Sequence, residues 1–202
     1  MNVKLEYNMS FTAGVWWEQR LIMNNYMVRV YMVTNCAESA NQNTAFERLK
    51  YFVYNELSST IFVNGDYEPL CQHLATAGIK MTTLPSEPVD QLIGIMLYSK
   101  LNAIMEDRIV INEIAISSEL GDNMIYLHTA DETLGPFESP GWWHDSDLIH
   151  YDLTLINSDK VVAMHRAGAW RELGLAWSEQ EPTPDSDNRV VFADFNPDNE
   201  SK

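Results

Sequence analysis

Apolar and polar residues alternate from the start of the chain. Val3, Leu5, Tyr7, Met9 and Phe11 are separated by polar residues, the period-two pattern of a strand with one buried face. The stretch "WWEQRLIMNNYMVRVYMVT" follows. Asn24-Asn25 at its centre tolerates the positive φ of a tight turn, which predicts a hairpin there. That turn places Trp17, Leu21, Met23, Tyr26, Val28, Val30 and Met32 on one face. It also sets Arg20 opposite Arg29, an unfavourable pair unless Glu18, Glu6 or a bound anion neutralises it.

The period then changes. In "NTAFERLKYFVYNEL" Phe46, Leu49, Val53 and Leu57 form a helical stripe, and Thr44 with Glu47 has capping-box spacing. "SEPVDQLIGIMLYSKLNAIMEDR" predicts a second helix, capped by Ser86, with Pro88 in its first turn. Val89, Leu92, Ile93, Met96, Leu97, Leu101, Ile104 and Met105 cover more than half its circumference, so it is expected to be the central, most buried helix. Its methionines read as gap-filling core. "RIVINEIAISSELGDNMIYLHTA" reads as another hairpin, turning at Leu120-Gly121-Asp122-Asn123. "TLGPFESPG" is a loop, and "WRELGLAW" a short helix or strand. Hairpins around two main helices, without strand–helix alternation, predict an α+β fold with an antiparallel sheet.

Composition sharpens the limits. A 202-residue chain with 46% hydrophobic residues suits one domain, expected over residues 1–177. Residues 178–202 carry seven acidic and two basic side chains, with Pro182 and Pro184. They are expected to form a flexible acidic tail. Val190, Val191, Phe192 and Phe195 within 190–195 are too apolar for a pure solubility tail, and predict a short docking motif. The net charge of −16 disfavours direct binding to nucleic acid or to anionic membranes and suits a basic protein partner. "MNVKLEYNMS" has no signal-peptide pattern, and no window approaches a membrane span. Cys36 and Cys71 are therefore expected to be free thiols in a reducing cytoplasm.

The chemistry-bearing motifs are few. There is no P-loop, G-x-G-x-x-G, G-x-S-x-G, H-E-x-x-H or zinc-spaced cysteine pair. The densest stretch is "GWWHDSDLIHYDLTLINSDKVVAMHRAG", Gly141 to Gly168. With a turn at Ser158-Asp159, Asp152 faces His165, and His150 shares their face. Tyr151, Leu153, Leu155, Val162 and Met164 form the apolar face behind them. Two imidazoles and a carboxylate can hold a divalent transition metal, with Asp145 and Asp147 as outer partners. The alternative is an ordinary cross-strand ion pair. His150-x-Asp152 with a later histidine resembles the iron- and 2-oxoglutarate-dependent oxygenases. Their second histidine lies much further along the chain, and no distal arginine is placed here to hold the oxoacid. Trp142 and Trp143 are candidates for a partner contact or for the edge of a core.

"NTAFERLKYFVYNELSSTIFVN", "PVDQLIGIMLYSKLNAIMEDRIVINEIAISSELGD" and "GPFESPGWWHDSD" resemble uncharacterised conserved proteins of T4-like phages, especially cyanophages. The resemblance implies a protein acting in the host cytoplasm or in the virion, and it carries no functional residue onto this chain. The leading expectation is a phage-like binding or assembly protein without catalytic activity or cofactor, with Trp142, Trp143, Phe192 and Phe195 as partner contacts. Two alternatives stand beside it: a metal-dependent enzyme using His150, Asp152 and His165, and an acidic nucleic-acid mimic that binds a basic host protein.

Overall fold

The alternation at the start of the chain continues far beyond Phe11. In the computed structural model, which describes residues 4–130, 134–147 and 170–178, β1 spans Lys4–Trp17 and β2 spans Arg20–Thr34. The two form one long hairpin whose turn is Glu18-Gln19, not Asn24-Asn25. Both turn residues have positive φ, 47° and 63°, the type I′ geometry that matches strand twist. Registry outweighs turn propensity. With the turn at 18–19, Phe11 pairs Tyr26, Met9 pairs Val28 and Tyr7 pairs Val30. A turn at 24–25 would strip β1's apolar face of these partners. The corrected parity keeps Tyr26, Val28, Val30 and Met32 inside and turns Leu21 and Met23 outward. Arg20 therefore faces Trp17, and Arg29 faces Asn8. Glu6 neutralises Arg29 at 3.3 Å, so no anion site between two arginines exists.

α1 (Ser39–Tyr51) begins five residues before the expected Thr44 cap, and Glu38 is its N-cap residue. A π-helical stretch, Phe52–Leu57, continues it. The expected stripe holds through this change of pitch, since Leu49, Val53 and Leu57 are fully buried. Next comes a unit that the sequence pattern did not reveal. β3 (Ile61–Asn64), α2 (Glu68–Thr76) and β4 (Met81–Leu84) form a parallel crossover. α3 (Asp90–Met105) follows with Val89 as N-cap residue, so neither Ser86 nor Pro88 lies within the helix. It is the buried central helix, with Ile93, Met96, Leu97, Leu101, Ile104 and Met105 fully enclosed. β5 (Ile109–Ser118) and β6 (Tyr126–Thr129) form the last hairpin. It turns where expected, with Asp122 and Asn123 at positive φ.

The fold class is α+β. The six strands form one sheet in the order β4-β3-β1-β2-β5-β6. β1, β2, β5 and β6 are antiparallel neighbours, while β3 adds parallel to β1 and β4 parallel to β3. α1 and α3 pack on the inner face of the antiparallel part. α2 packs with Ile61, Val63, Met81 and Trp16 in a second, smaller core on the other face of the parallel wing. A bulge in β5 leaves Asn112 without a partner in the register between Glu113 and Ile111. Asn102 of α3 braces that bulge, accepting from the Ile111 N–H at 2.9 Å.

Candidate functional site

The loop after β6 carries the tryptophan pair, and its position follows from one glycine. Gly141 is in extended backbone, and a Cβ there would lie 2.4 Å from the Trp143 ring. Only glycine lets that ring fold back onto the loop. Trp143 then packs edge to face on Phe137 at 5.1 Å and donates its indole N–H to the Phe137 carbonyl at 2.9 Å. His144 Nε2 lies 2.5 Å from the same carbonyl, which fixes the proton on that nitrogen because a carbonyl only accepts. Trp142 donates to the Thr83 carbonyl at 3.0 Å. Trp143 is buried and Trp142 half-buried, so both indoles close the end of the core over α3 and β4.

Lys100 ties this loop to the central helix. It occupies the seam of Ile93, Leu97 and Ile104, seven, three and four residues away, and is fully buried. Its Nζ donates to the carbonyls of Trp142 at 3.1 Å, Asp145 at 2.7 Å and Asp147 at 2.6 Å. Three N–H groups meet three acceptors, which is the full capacity of an ammonium. Burial pushes its pKa down to about 8, against the opposing pull of Asp145 and Asp147. In the charged form no lone pair is available for nucleophilic chemistry, so the group is a clasp. A lysine in an otherwise apolar helical seam is the sequence signal for it.

A second cation holds the segment 170–178. Arg48 of α1 is buried and donates to the Leu175 carbonyl at 2.8 Å, the Ile104 carbonyl at 3.1 Å and Glu106 at 2.9 Å. Trp177 lies between two guanidiniums, Arg48 at 3.7 Å and Arg108 at 4.1 Å from the ring centre. Such cation–π contacts strengthen as water is excluded. Trp170 donates to the Ser146 carbonyl at 2.7 Å, which links this segment to the loop that Lys100 clasps.

The outer face of the antiparallel strands differs from all of this. Away from the end of β1, where Trp16 packs with α2, no described helix covers it. Asn8, Ser10 and Thr12 of β1 lie beside Met27, Arg29 and Asn25 of β2. Met23, Met27, Ile125 and Leu127 are 59%, 54%, 65% and 54% exposed. The register sets Arg29 opposite Ala115, which in turn faces Leu127, so these groups form one surface. A shallow depression of about 660 Å³ runs across it, bordered by Asn8, Ser10, Met27, Tyr31 and Leu127. Patches of exposed large apolar side chains mark interaction surfaces in soluble proteins.

His150, Asp152, His165, Phe192 and Phe195 lie outside the described residues, as do the expected hairpin around Ser158-Asp159 and the 190–195 motif. Among the described residues no group of three or more His, Cys, Asp or Glu side chains could hold a metal ion. Asp145 and Asp147 meet Lys100 through their backbone carbonyls. Cys36 and Cys71 are both free thiols, and burial raises the Cys71 pKa. No helix among the described residues is long and apolar enough to cross a membrane.

No family model matches the chain, and no curated protein matches it. Among solved structures it is similar to the uncharacterised protein WS1659 of Wolinella succinogenes, at TM-score 0.48 and 11% identity, over 65% of this chain and 99% of that one. A likeness at that level bears on neither activity nor partner.

Proposed function

We propose that the protein is a non-catalytic binding or assembly module of T4-like phage type, which meets a protein partner with the outer face of its antiparallel sheet. The observation that carries this reading is the uncovered apolar group Met27, Ile125 and Leu127. Leaving such side chains in water is unfavourable by roughly 25 cal/mol per Å² of apolar surface, and a partner that covers them recovers that free energy. The flexible thioether of Met27 suits a surface that adapts to another protein. The net charge of −16 favours a partner whose own apolar patch is bordered by basic groups, and long-range attraction would speed the encounter.

The test is site-specific cross-linking in a lysate of cells expressing the chain. A photo-reactive residue replaces Met27 in one protein and the exposed Glu172 in another. The expected result is one discrete cross-linked species from position 27 only. It should weaken as salt rises and vanish with Leu127→Lys. The same species from both positions, or none from position 27, would overturn the reading.

A further inference from the structure

A cavity of about 280 Å³ opens at the far end of the inner face, where the β1–β2 hairpin, the start of α3 and the β5–β6 turn meet. Trp17, Ile22, Pro88 and Tyr126 supply its apolar walls. Two polar side chains of β2, Asn24 and Tyr26, line it and are only 2% and 1% exposed. Asn24 Oδ1 accepts from the Leu120 N–H at 3.1 Å, which fixes the direction of the amide. Its Nδ2 then has no partner among the described residues, and neither does the Tyr26 hydroxyl. Tyr26 cannot turn away, because its ring is stacked on Phe11 at 5.0 Å and meets Phe62 edge on at 5.9 Å. Buried donors without acceptors are rare and costly, and two lining one cavity point to a missing acceptor.

The charged group of the cavity is Asp90, the first residue of α3. Its carboxylate is positioned by the Ser118 hydroxyl at 2.5 Å, and that hydroxyl accepts from the Gly121 N–H at 3.1 Å. A Cβ on Gly121 would stand 2.4 Å from Asp90 Oδ2, so glycine is what admits the carboxylate. Burial raises the Tyr26 pKa far above its ordinary value. A side-chain interaction with the Asn24 amide pulls the other way, and the charge of Asp90 adds to the rise. The phenol is therefore a neutral O–H donor at any physiological pH.

We infer that this cavity binds a small uncharged planar molecule with a cyclic-amide edge, its C=O accepting from Asn24 Nδ2 and Tyr26 O–H and its adjacent N–H donating to Asp90. Two donors beside one fixed carboxylate complement such an edge, and the aromatic walls fit a flat ring. The volume admits one ring with substituents, since a cavity of about 150 Å³ already holds benzene. Asp90 is the single charged residue bordering the cavity, so anions are rejected.

The probe is 2-pyridone, a lactam with N–H beside C=O, titrated into the full chain and followed through the Leu120 and Gly121 amide resonances. Benzoate serves as an anionic ring of similar size. Saturable shifts are expected with 2-pyridone and none with benzoate. Tyr26→Phe should weaken binding about tenfold, the size of one lost hydrogen bond, while keeping the wild-type thermal midpoint or raising it. Should that variant fold poorly, Asp90→Asn provides the second reading, because its amide oxygen still accepts from Ser118 while the charge is gone. It should also bind about tenfold more weakly. No saturable shift with 2-pyridone, equal shifts with benzoate, or unchanged affinity in the folded variants would each overturn the inference.

Discussion

The two faces of the antiparallel strands share one backbone and have opposite fates. On the inner face Met9, Phe11, Val15, Tyr26, Val28, Val30, Ile114 and Ile116 are all buried under α1 and α3. On the outer face, one residue away along each strand, Met23, Met27 and Leu127 stand in solvent beside Asn8 and Arg29. Strand geometry alone cannot tell these faces apart, because side chains simply alternate. What separates them is whether another element is available to pack. The inner face folds the chain. The outer face is held by hydrogen bonds and ion pairs such as Thr12 to Asn25 at 2.6 Å and Arg29 to Glu6 at 3.3 Å, which contribute little to stability at an exposed surface. Its apolar side chains are therefore available to a partner.

The largest effect should come from the helix that covers the inner face. Leu101 is fully buried within α3. Leu101→Ala removes its packing and leaves a cavity, an expected loss of about 2–5 kcal/mol in chemical denaturation. An unshifted midpoint would break the contrast at its stronger side.

The Lys100 clasp sharpens the contrast through pH. Its pKa falls from 10.5 to about 8 on folding. Between those values the unfolded chain binds the extra proton, so stability attributable to Lys100 rises with pH across that window. Below about pH 8 the penalty for burying the charge is fully present; by about pH 10.5 it is relieved. Relative to Lys100→Met, the wild type should gain roughly 3 kcal/mol over that interval, read as the difference between two urea-denaturation series. A pH-independent difference would show that the ammonium is not buried as described.

Much of the inner face was legible because burial imposes a period. The alternation in β1, the continuous apolar surface of α3 and the Gly121-Asp122-Asn123 turn all carried local signals. The β1–β2 turn did not. Asn24-Asn25 has better turn chemistry than Glu18-Gln19, yet fourteen residue pairs depend on the register, and their sum exceeds any preference at two positions. The β3-α2-β4 unit escaped because strands of four residues are too short to show a period. For the candidate site, Met27 and Leu127 were readable as apolar. Which of them lacked cover was not, since that depends on which face α1 and α3 choose. The cavity polar pair was hidden for a related reason: Asn24 has turn chemistry, and only the long hairpin turns it inward.

Trp177 tests the edge of the inner layer. It sits between Arg48 and Arg108, far in sequence from both. Trp177→Ala should lower stability by roughly 1–2 kcal/mol, the loss of two partly desolvated cation–π contacts. Trp177→Phe should recover part of it, because a smaller ring still offers a face to the guanidiniums. Equal loss in both variants, measured by thermal denaturation, would assign the effect to packing volume and not to the cations.

The smallest expected effect belongs to the outer face, and it decides what that face is for. Met27 and Leu127 are each more than half exposed, and the lysine that replaces either can keep its stem on the sheet while its ammonium reaches water. Met27→Lys and Leu127→Lys should therefore each change stability by less than about 0.5 kcal/mol, as surface substitutions do. Because the pair lies diagonally across β5, the double variant should show near-additive, still small changes. Both lysines place charge where the proposed partner must bury apolar area, so association should fall while the fold persists. A loss of several kcal/mol in either single variant would mean that these side chains are already covered in the folded chain. The difference between the two faces would then be one of degree, and the reading of the outer face as a partner surface would fail with it.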